Sequence, residues 1–529
     1  MSKMLKSSGS MGIATLFSKV LGLFREMAYA ALLGAGPVFG AFVLANMIPN
    51  LFRRLLGEGV LTASFIPIFK EKEIQEGTSK MWASANAVIS GLISSAFLVC
   101  LLVFLGLTVI LFMLPVILAW VPVELAPGLE LTLRLLRIMF PYMLLVCLAA
   151  VLMGMLNSRG YFFIPAMGAT MLNVVMIITV LFVAPRFGET PSTQVYALAF
   201  GILVAGVLQV LFQLPLLYKD GFRFQWINPW NNETVRRVVS KMIPGTIGVA
   251  AYQINMLTTQ SVAALFDFKI VGGFNYAVRF MELPQGVFTI SLATFLLPTL
   301  SGFAAKKDYR KFTDTLNEGV HHVVFFNLFA SVIMIILAEP IVRLVFERGN
   351  FTPADTVRVA LALKCLAPGL VAFSLVNIFA RGFFALGDTS TPMKISAVCL
   401  ALNLVFTISA LFALGNAGSL GLANSLSAFF HVWLLIHAFK LKLKDFDAKR
   451  LTDQLHPILL AVILSGLSAA ITLKLFQASF SMESFMARVT CVFLPALVSL
   501  SIYLALGGAL KVRSALEILQ LFEKKWKSA

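Results

Sequence analysis

Long apolar runs, broken by short polar stretches, set the reading of this chain. A helical membrane span needs about 20 mostly apolar residues. By that ruler the pattern predicts fourteen helices, near 10–34, 39–66, 84–113, 130–157, 161–184, 195–218, 238–266, 270–302, 316–346, 353–386, 390–414, 419–440, 453–474 and 486–510. Spans three to six and eleven to fourteen are plainly apolar. The first, second, seventh, eighth and tenth carry charge, Pro, Gly or amide side chains where a lipid-facing helix should have none.

Composition narrows the class. Of 529 residues 59% are apolar and 13% charged, with a mean hydropathy of +0.90. Ordinary soluble domains carry about a quarter charged residues. A cytosolic enzyme, a disordered chain and a disulfide scaffold are therefore excluded, and an all-α polytopic membrane protein remains. The five cysteines all fall inside apolar segments and read as small buried hydrophobes. The first apolar stretch contains Lys19, Arg25 and Glu26 and has no small-residue cleavage site, so it is expected to be a membrane helix and not a cleaved signal. The net charge of +17 matters mainly through its sidedness. With the N-terminus inside, the loops alternate so that 26 Lys and Arg lie inside and 6 outside. That asymmetry predicts both termini in the cytoplasm.

The chain repeats itself. Gly59-Val60-x-Thr62-x-Ser64 returns as Gly286-Val287-x-Thr289-x-Ser291, an offset of 227 residues. Pro141 and Pro368, Pro165 and Pro392, and the bases Arg137 and Lys364 share that offset. It maps the second span on the eighth, the fourth on the tenth and the fifth on the eleventh. An even number of helices separates each pair, so the expected halves are parallel repeats. The expected organisation is an N-lobe at 1–218, a cytoplasmic linker at 219–237 and a C-lobe at 238–440. A loop at 441–452 follows, then two extra helices at 453–510 and a tail at 511–529. Two parallel six-helix lobes would enclose a central cavity.

Several basic residues fall inside the spans. An Arg at the centre of a lone helix costs about 2.5–3.5 kcal/mol on insertion scales. Arg25, Arg53 and Arg279 must therefore face a wet cavity or be paired. Glu26, Glu58 and Glu282 are candidate partners, and Arg279 and Glu282 lie three apart on one helical face. One reading is mutual neutralisation. The other is a basic site for an anionic substrate, with Lys19 and Arg54 contributing. Arg suits phosphate oxygens because its planar fork donates bidentately. Pro49, Gly57, Gly59 and Pro67 interrupt the second span, and Pro284, Gly286 and Pro298 the eighth. Broken helices free backbone groups along a cavity or against protein, and Pro49, Gly59, Pro284 and Gly286 are the candidate hinges.

Other chemistry is missing from the pattern. No Gly-rich phosphate loop ending in Lys-Ser/Thr is present, nor His-Glu-x-x-His, nor Cys-x-x-Cys. The five histidines, His321 and His322 among them, show no ligand cluster, so no metal site and no catalytic residue is expected. Thr352-Pro353-Ala-Asp355 reads as a helix start, with Thr as N-cap, Pro at N1 and an acid at N3.

These residues resemble the MurJ (MviN) lipid II flippases of the MOP exporter superfamily. The resemblance rests on Ser18-Lys-Val-Leu-Gly-Leu-Phe-Arg25-Glu26, on Gly34-Ala-Gly36, and on Ile48-Pro-Asn-Leu-Phe-Arg-Arg54-Leu-Leu-Gly-Glu58-Gly59. It continues through Leu156-Asn-Ser158, Pro165-Ala166 and Gln253-Ile-Asn255. Asn275-Tyr-Ala-Val-Arg279-Phe-Met-Glu282-Leu-Pro284-Gln-Gly286-Val287 is the most telling run. Phe346-Glu-Arg-Gly349, Phe351-Thr352, Phe384-Ala385 and Asp388-Thr-Ser-Thr-Pro392 complete it.

The resemblance implies a transporter rather than an enzyme. It would move the undecaprenyl-pyrophosphate-linked peptidoglycan precursor, lipid II, from the inner to the outer leaflet of the bacterial cytoplasmic membrane by alternating access. It implies a V-shaped cavity between lobes and a hydrophobic groove for the lipid tail on the last two helices. Arg25, Arg53 and Arg279 would contact the pyrophosphate or nearby headgroup, and Glu26, Glu58 and Glu282 would gate or pair charge. Lipid II and membrane lipids are the expected partners, with cell-wall synthesis proteins a further candidate class and nucleic acid excluded. No cofactor is expected, and a coupling monovalent ion or proton is left open. The sequence departs from the family pattern at Lys19, where many members have Arg, and at Glu26, where Asp is common. Gly40 and Val278 stand where many members carry Asp. Rival readings are a MOP-type flippase for another lipid-linked oligosaccharide, a drug antiporter, which would need acids in its cavity, and a non-transporting membrane scaffold for cell-wall enzymes.

Overall fold

A computed structural model describes residues 3–57, 60–118, 125–443, 455–480 and 484–528. Glu58 and Gly59, and with them one expected gate and one expected hinge, lie outside the described residues, as does most of the 441–452 loop. Among the described residues all regular structure is helical, joined by short turns and loops, without a strand.

The chain divides into two compact units, 1–272 and 273–529. The first holds α1 (Lys3–Leu33), α2 (Pro37–Phe52), α3 (Val60–Leu118), α4 (Ala126–Met139), α5 (Tyr142–Ser158), α6 (Phe163–Ile178), α7 (Ala184–Phe187), α8 (Pro191–Lys219) and α9 (Glu233–Ala264). α10 (Phe268–Pro284) begins in the first unit and continues in the second. The second unit holds α11 (Ser291–Ala305), α12 (Tyr309–Ile336), α13 (Ala338–Phe346), α14 (Pro353–Leu366), α15 (Gly369–Ala385), α16 (Ser390–Leu414) and α17 (Gly418–Lys442). It ends with α18 (Leu455–Ser479), α19 (Phe485–Ala509) and α20 (Arg513–Ser528).

Among the described residues nine helices are long and apolar enough to cross a membrane, and eleven if each of two bent pairs is one span. The expected first, second and seventh spans fall outside that set. They are helical too, as α1, α2 with its continuation, and α9, but charge and amide side chains dilute their hydropathy. The second and third expected spans meet in α3, whose helical path breaks at Gly77, with φ 84° and ψ 174°. Gly tolerates that conformation because it has no Cβ.

The 227-residue repeat is visible in the helix boundaries. α4 and α14 start at Ala126 and Pro353, α5 and α15 at Tyr142 and Gly369, α6 and α16 at Phe163 and Ser390, α8 and α17 at Pro191 and Gly418. Every pair is separated by 227 residues. The packing repeats as well: α8 packs on α4, α5 and α6, and α17 packs on α14, α15 and α16. The division at Gly272 differs from the expected linker at 219–237. It does so because α9, the seventh helix, packs on α2 and α3 of the first unit.

Each unit has its own core. In the first, Phe65, Phe69, Met81, Leu152, Met155 and Phe222 are buried together. In the second, Phe312, Phe325, Phe379, Phe383 and Phe439 form the centre. The two helices beyond the repeat are fastened there. Tyr503 of α19 is buried and its hydroxyl donates to the Phe325 carbonyl at 2.9 Å, while the Ser499 hydroxyl donates to Ser465 O at 2.8 Å. The expected helix start at Thr352 is present as a capping box. Asp355 N–H donates to Thr352 Oγ1 at 3.3 Å, and Thr352 N–H donates to Asp355 Oδ2 at 3.0 Å.

Candidate functional site

The two helices marked by the repeated Gly-Val-x-Thr-x-Ser pattern both change their winding beside it. α2 carries Pro49 internally and passes at Phe52 into a π-helical turn, Arg53–Gly57. α10 ends at Pro284 and passes into a second π-helical turn, Gln285–Ile290, which includes Gly286. Proline removes one backbone donor and crowds the preceding turn. Wider π turns of this kind are rare and occur often at functional sites. The expected interruptions at Gly57, Pro284 and Gly286 are thus local rewinding, whereas Pro49, Pro67 and Pro298 sit inside continuous helix.

The second π turn is anchored by the motif threonine. Thr289 is fully buried and donates to Ser374 Oγ on α15 at 2.7 Å, while Asn327 Nδ2 on α12 donates to Thr289 Oγ1 at 3.3 Å. Polar side chains that hydrogen-bond across helices satisfy groups that lipid cannot.

In the first unit Arg25 points from α1 toward α6. Its Nη2 donates to Glu26 Oε1 at 2.6 Å, its Nη1 to Asn173 Oδ1 at 2.9 Å, and its guanidinium lies 5.5 Å from the Tyr29 ring centre. Asn173 Nδ2 in turn donates to Ser18 O at 3.0 Å. Glu26 is buried. Asn173 escaped the sequence reading; its one signal was an amide in the apolar run of the fifth span. Arg53 is half-buried on the first π turn. Its neighbour Arg54 is exposed, and Nη1 donates to Gln253 Oε1 of α9 at 3.3 Å. Lys19 is exposed on α1. In the second unit Arg279 Nη1 lies 3.0 Å and 3.2 Å from the two Glu282 oxygens, one helical turn along α10. The structure therefore pairs Arg25 with Glu26 and Arg279 with Glu282, in one unit each.

The departure at Gly40 has a steric cause. A Cβ on Gly40 would lie 2.1 Å from the Phe268 carbonyl oxygen, and one on Gly128 would lie 2.4 Å from the Phe268 ring. Phe268 is buried at this crossing of α2, α4 and the start of α10. Helices approach this closely only through residues without side chains. No carboxylate fits at Gly40 in this packing. Val278 is half-buried on α10.

Beyond the apolar core of the first unit, charge ties helix ends together. Arg159 donates to Asp220 Oδ2 at 2.6 Å and pairs with Glu73. Arg237 of α9 makes a two-pronged contact with Glu71 of α3, at 2.9–3.1 Å. The Arg237 guanidinium, mainly by its hydrogen bond, holds the Glu71 carboxyl below its usual range. In the second unit Lys442 pairs with Asp388, which also accepts from Thr391 N–H at 3.0 Å.

These features can be set beside known proteins. The family model described as lipid II flippase MurJ matches residues 29–491. The chain belongs to the MurJ family. The probable lipid II flippase MurJ of Vibrio cholerae is 33% identical over 448 residues, which covers 83% of each chain. Among solved structures, a lipid II flippase MurJ in an inward closed conformation superposes with a TM-score of 0.71 at 23% identity, covering 93% of this chain and 98% of that one. An inward-facing multidrug-resistance MATE transporter of the MOP superfamily reaches 0.61 at 16% identity, over 81% of this chain and 98% of its own. The fold is thus that of MurJ and its MATE neighbours, and the MurJ family is one of transporters. This chain is an integral membrane protein of that family, with transport and not catalysis as its activity.

Proposed function

We propose that this chain carries lipid II from the inner to the outer leaflet by alternating access, with charge-paired arginines as its headgroup contacts. The single observation that carries this is the match to the lipid II flippase family model over residues 29–491. The chemistry of the intramembrane charges supports it. A pyrophosphate offers more negative charge than one carboxylate, and Arg binds phosphate oxygens in pairs. Arg25 sits largely buried against Glu26 and Arg279, more exposed, against Glu282, so an arriving pyrophosphate can compete with each acid for its guanidinium. In this reading Arg53, Arg54 and Lys19 add donors, Glu26, Glu58 and Glu282 exchange partners as the carrier turns, and the π turns at Arg53–Gly57 and Gln285–Ile290 are the flexing points.

The topology we adopt has fourteen spans. Eleven come from the apolar helices and bent pairs, and α1, α2 with its continuation, and α9 supply the rest. Both termini then lie in the cytoplasm and the two six-helix repeats share one orientation. The extra pair α18 and α19 takes the lipid tail.

Complementation tests the function. Cells depleted of their own lipid II flippase should be rescued by the wild-type chain. Arg25→Ala, Arg53→Ala and Arg279→Ala should each fail at equal membrane level. Failure of the well-inserted wild type would point to another lipid-linked cargo; full rescue by the three variants would make the arginines structural.

A further inference from the structure

Away from the site described above, α12 and the last helix, α20, bring together a nitrogen and two carboxylates. Glu318 and His322 stand four apart on one face of α12, the spacing that lets two helical side chains reach one ligand. Glu517 comes from α20. One donor atom from each lies within 4.8 Å of the other two.

The imidazole is oriented. His322 Nδ1 lies 2.9 Å from Ser514 Oγ, and Ser514 is buried. With Nδ1 engaged there, Nε2 is turned to the acids, 3.6 Å from Glu517 Oε2 and 3.9 Å from Glu318 Oε1. These separations are too long for hydrogen bonds. They are close to the gap of about 3.4 Å between two donors that each sit about 2.1 Å from a tetrahedral zinc ion. A ring held by an outer oxygen on one nitrogen, with the other facing carboxylates, is the usual arrangement of a metal-binding histidine.

We propose that Glu318, His322 and Glu517 form a three-donor site for a divalent transition metal of the zinc class, and that the ion staples α20 onto α12. The sequence spacing gave no ligand cluster because the third donor arrives from a distant helix. Arg513 currently spans the two acids, 2.7 Å from Glu318 Oε1 and 3.1 Å from Glu517 Oε1. It is well exposed and can swing into solvent when a metal takes its place. The α20 backbone is already set for this. A Cβ on Gly507 would lie 2.7 Å from the Ala515 Cβ, and one on Gly508 would lie 2.8 Å from Leu519 Cδ1, so α20 folds back closely on α19. The small residues at the turn hold Ser514 and Glu517 against α12. An imidazole with carboxylates suits zinc better than magnesium or calcium, which prefer oxygen alone.

The test is zinc titration of the purified full chain in detergent against a chromophoric chelator. Wild type should bind one zinc per chain. His322→Ala and Glu517→Gln should each weaken binding at least about tenfold, and Ser514→Ala by about tenfold through loss of ring orientation. Arg513→Ala should bind more tightly, because its competitor for the acids is gone, a gain that no folding defect can mimic. Zinc should also slow proteolysis within 513–528 in wild type and not in His322→Ala. The proposal is overturned if wild type and His322→Ala bind zinc alike, or if Arg513→Ala binds no more tightly than wild type.

Discussion

Pro141 and Pro368, 227 residues apart, bend their helix pairs by almost the same angle. α4 and α5 meet at 44°, and α14 and α15 meet at 43°. A proline cannot donate to the carbonyl one turn back, so each bend leaves acceptors to satisfy. In the second unit two serines donate to carbonyls around the bend, one of which, Ala367 O, also accepts from Leu370 N–H at 3.0 Å. Ser425 Oγ donates to Cys365 O at 2.8 Å and Ser331 Oγ to Ala367 O at 2.7 Å. Measured interhelical hydrogen bonds in a membrane average about 0.6 kcal/mol. Ser425→Ala and Ser331→Ala should each lower stability by about that amount, and the double variant by about their sum if the sites are independent. Reversible unfolding in detergent or bilayer mimetics would measure it. A loss near zero in both would mean other groups satisfy the bend.

Gly40 is expected to tolerate no side chain. Gly40→Ala places a methyl against the Phe268 carbonyl, where backbone must shift. Overpacking of this kind costs about 1–3 kcal/mol. Gly40→Asp should be worse, since it also buries a charge. The thermal midpoint of each purified variant checks this, with Phe268→Ala as a partner: it removes the ring that crowds Gly128 but leaves the carbonyl, so it should not rescue Gly40→Ala.

Much of the repeat is legible in the sequence. The Gly-Val-x-Thr-x-Ser echo and the paired prolines gave the offset at which four helix starts later coincide, because Pro, Gly and buried hydroxyls are punctuation that survives in an apolar chain. The capping box at Thr352 was legible for the same reason. The arginines were readable as misplaced charge, and their neighbours Glu26 and Glu282 as partners. Asn173 was not, because it lies far from Arg25 in sequence and an amide in one span does not say which helix faces it. Nor could sequence place α9 in the first unit. Its packing on α2 and α3 depends on contacts such as Arg54–Gln253 and Arg237–Glu71, which periodicity does not encode. The π turns escaped as well, since a proline announces a break without saying how the helix rewinds.

Acid should loosen one specific tie. Lys442, through its hydrogen bond, and Thr391 N–H together hold the Asp388 carboxyl well below the usual carboxylate range. A depressed folded-state value means the stabilisation is fully present above the unfolded value of about 3.9 and fades as pH falls through the lower folded value. Asp388→Asn should therefore be less stable than wild type by a constant margin above about pH 5, and the margin should shrink below about pH 4. Thermal midpoints of both proteins from pH 3 to 7 read this directly. A margin that grew on acidification would refute the assignment.

Glu26 offers a finer test of the arginine reading. If it only neutralises Arg25, Glu26→Gln should destabilise the fold by leaving a buried cation short of its partner. If it also releases Arg25 to the headgroup, the same variant should bind lipid II more tightly while turning over more slowly. Binding and transport measured on one preparation separate the two outcomes.

The most direct measurement is lipid II translocation by the purified chain in liposomes, followed as the appearance of headgroup in the opposite leaflet. Wild type should accelerate transfer well above protein-free vesicles. Arg25→Ala and Arg279→Ala, inserted at the same density and equally stable, should lose at least about tenfold, the loss of one charged hydrogen bond of about 1.5–3 kcal/mol. Wild type at the protein-free rate, or both arginine variants at the wild-type rate, would contradict a flippase that works through these charges.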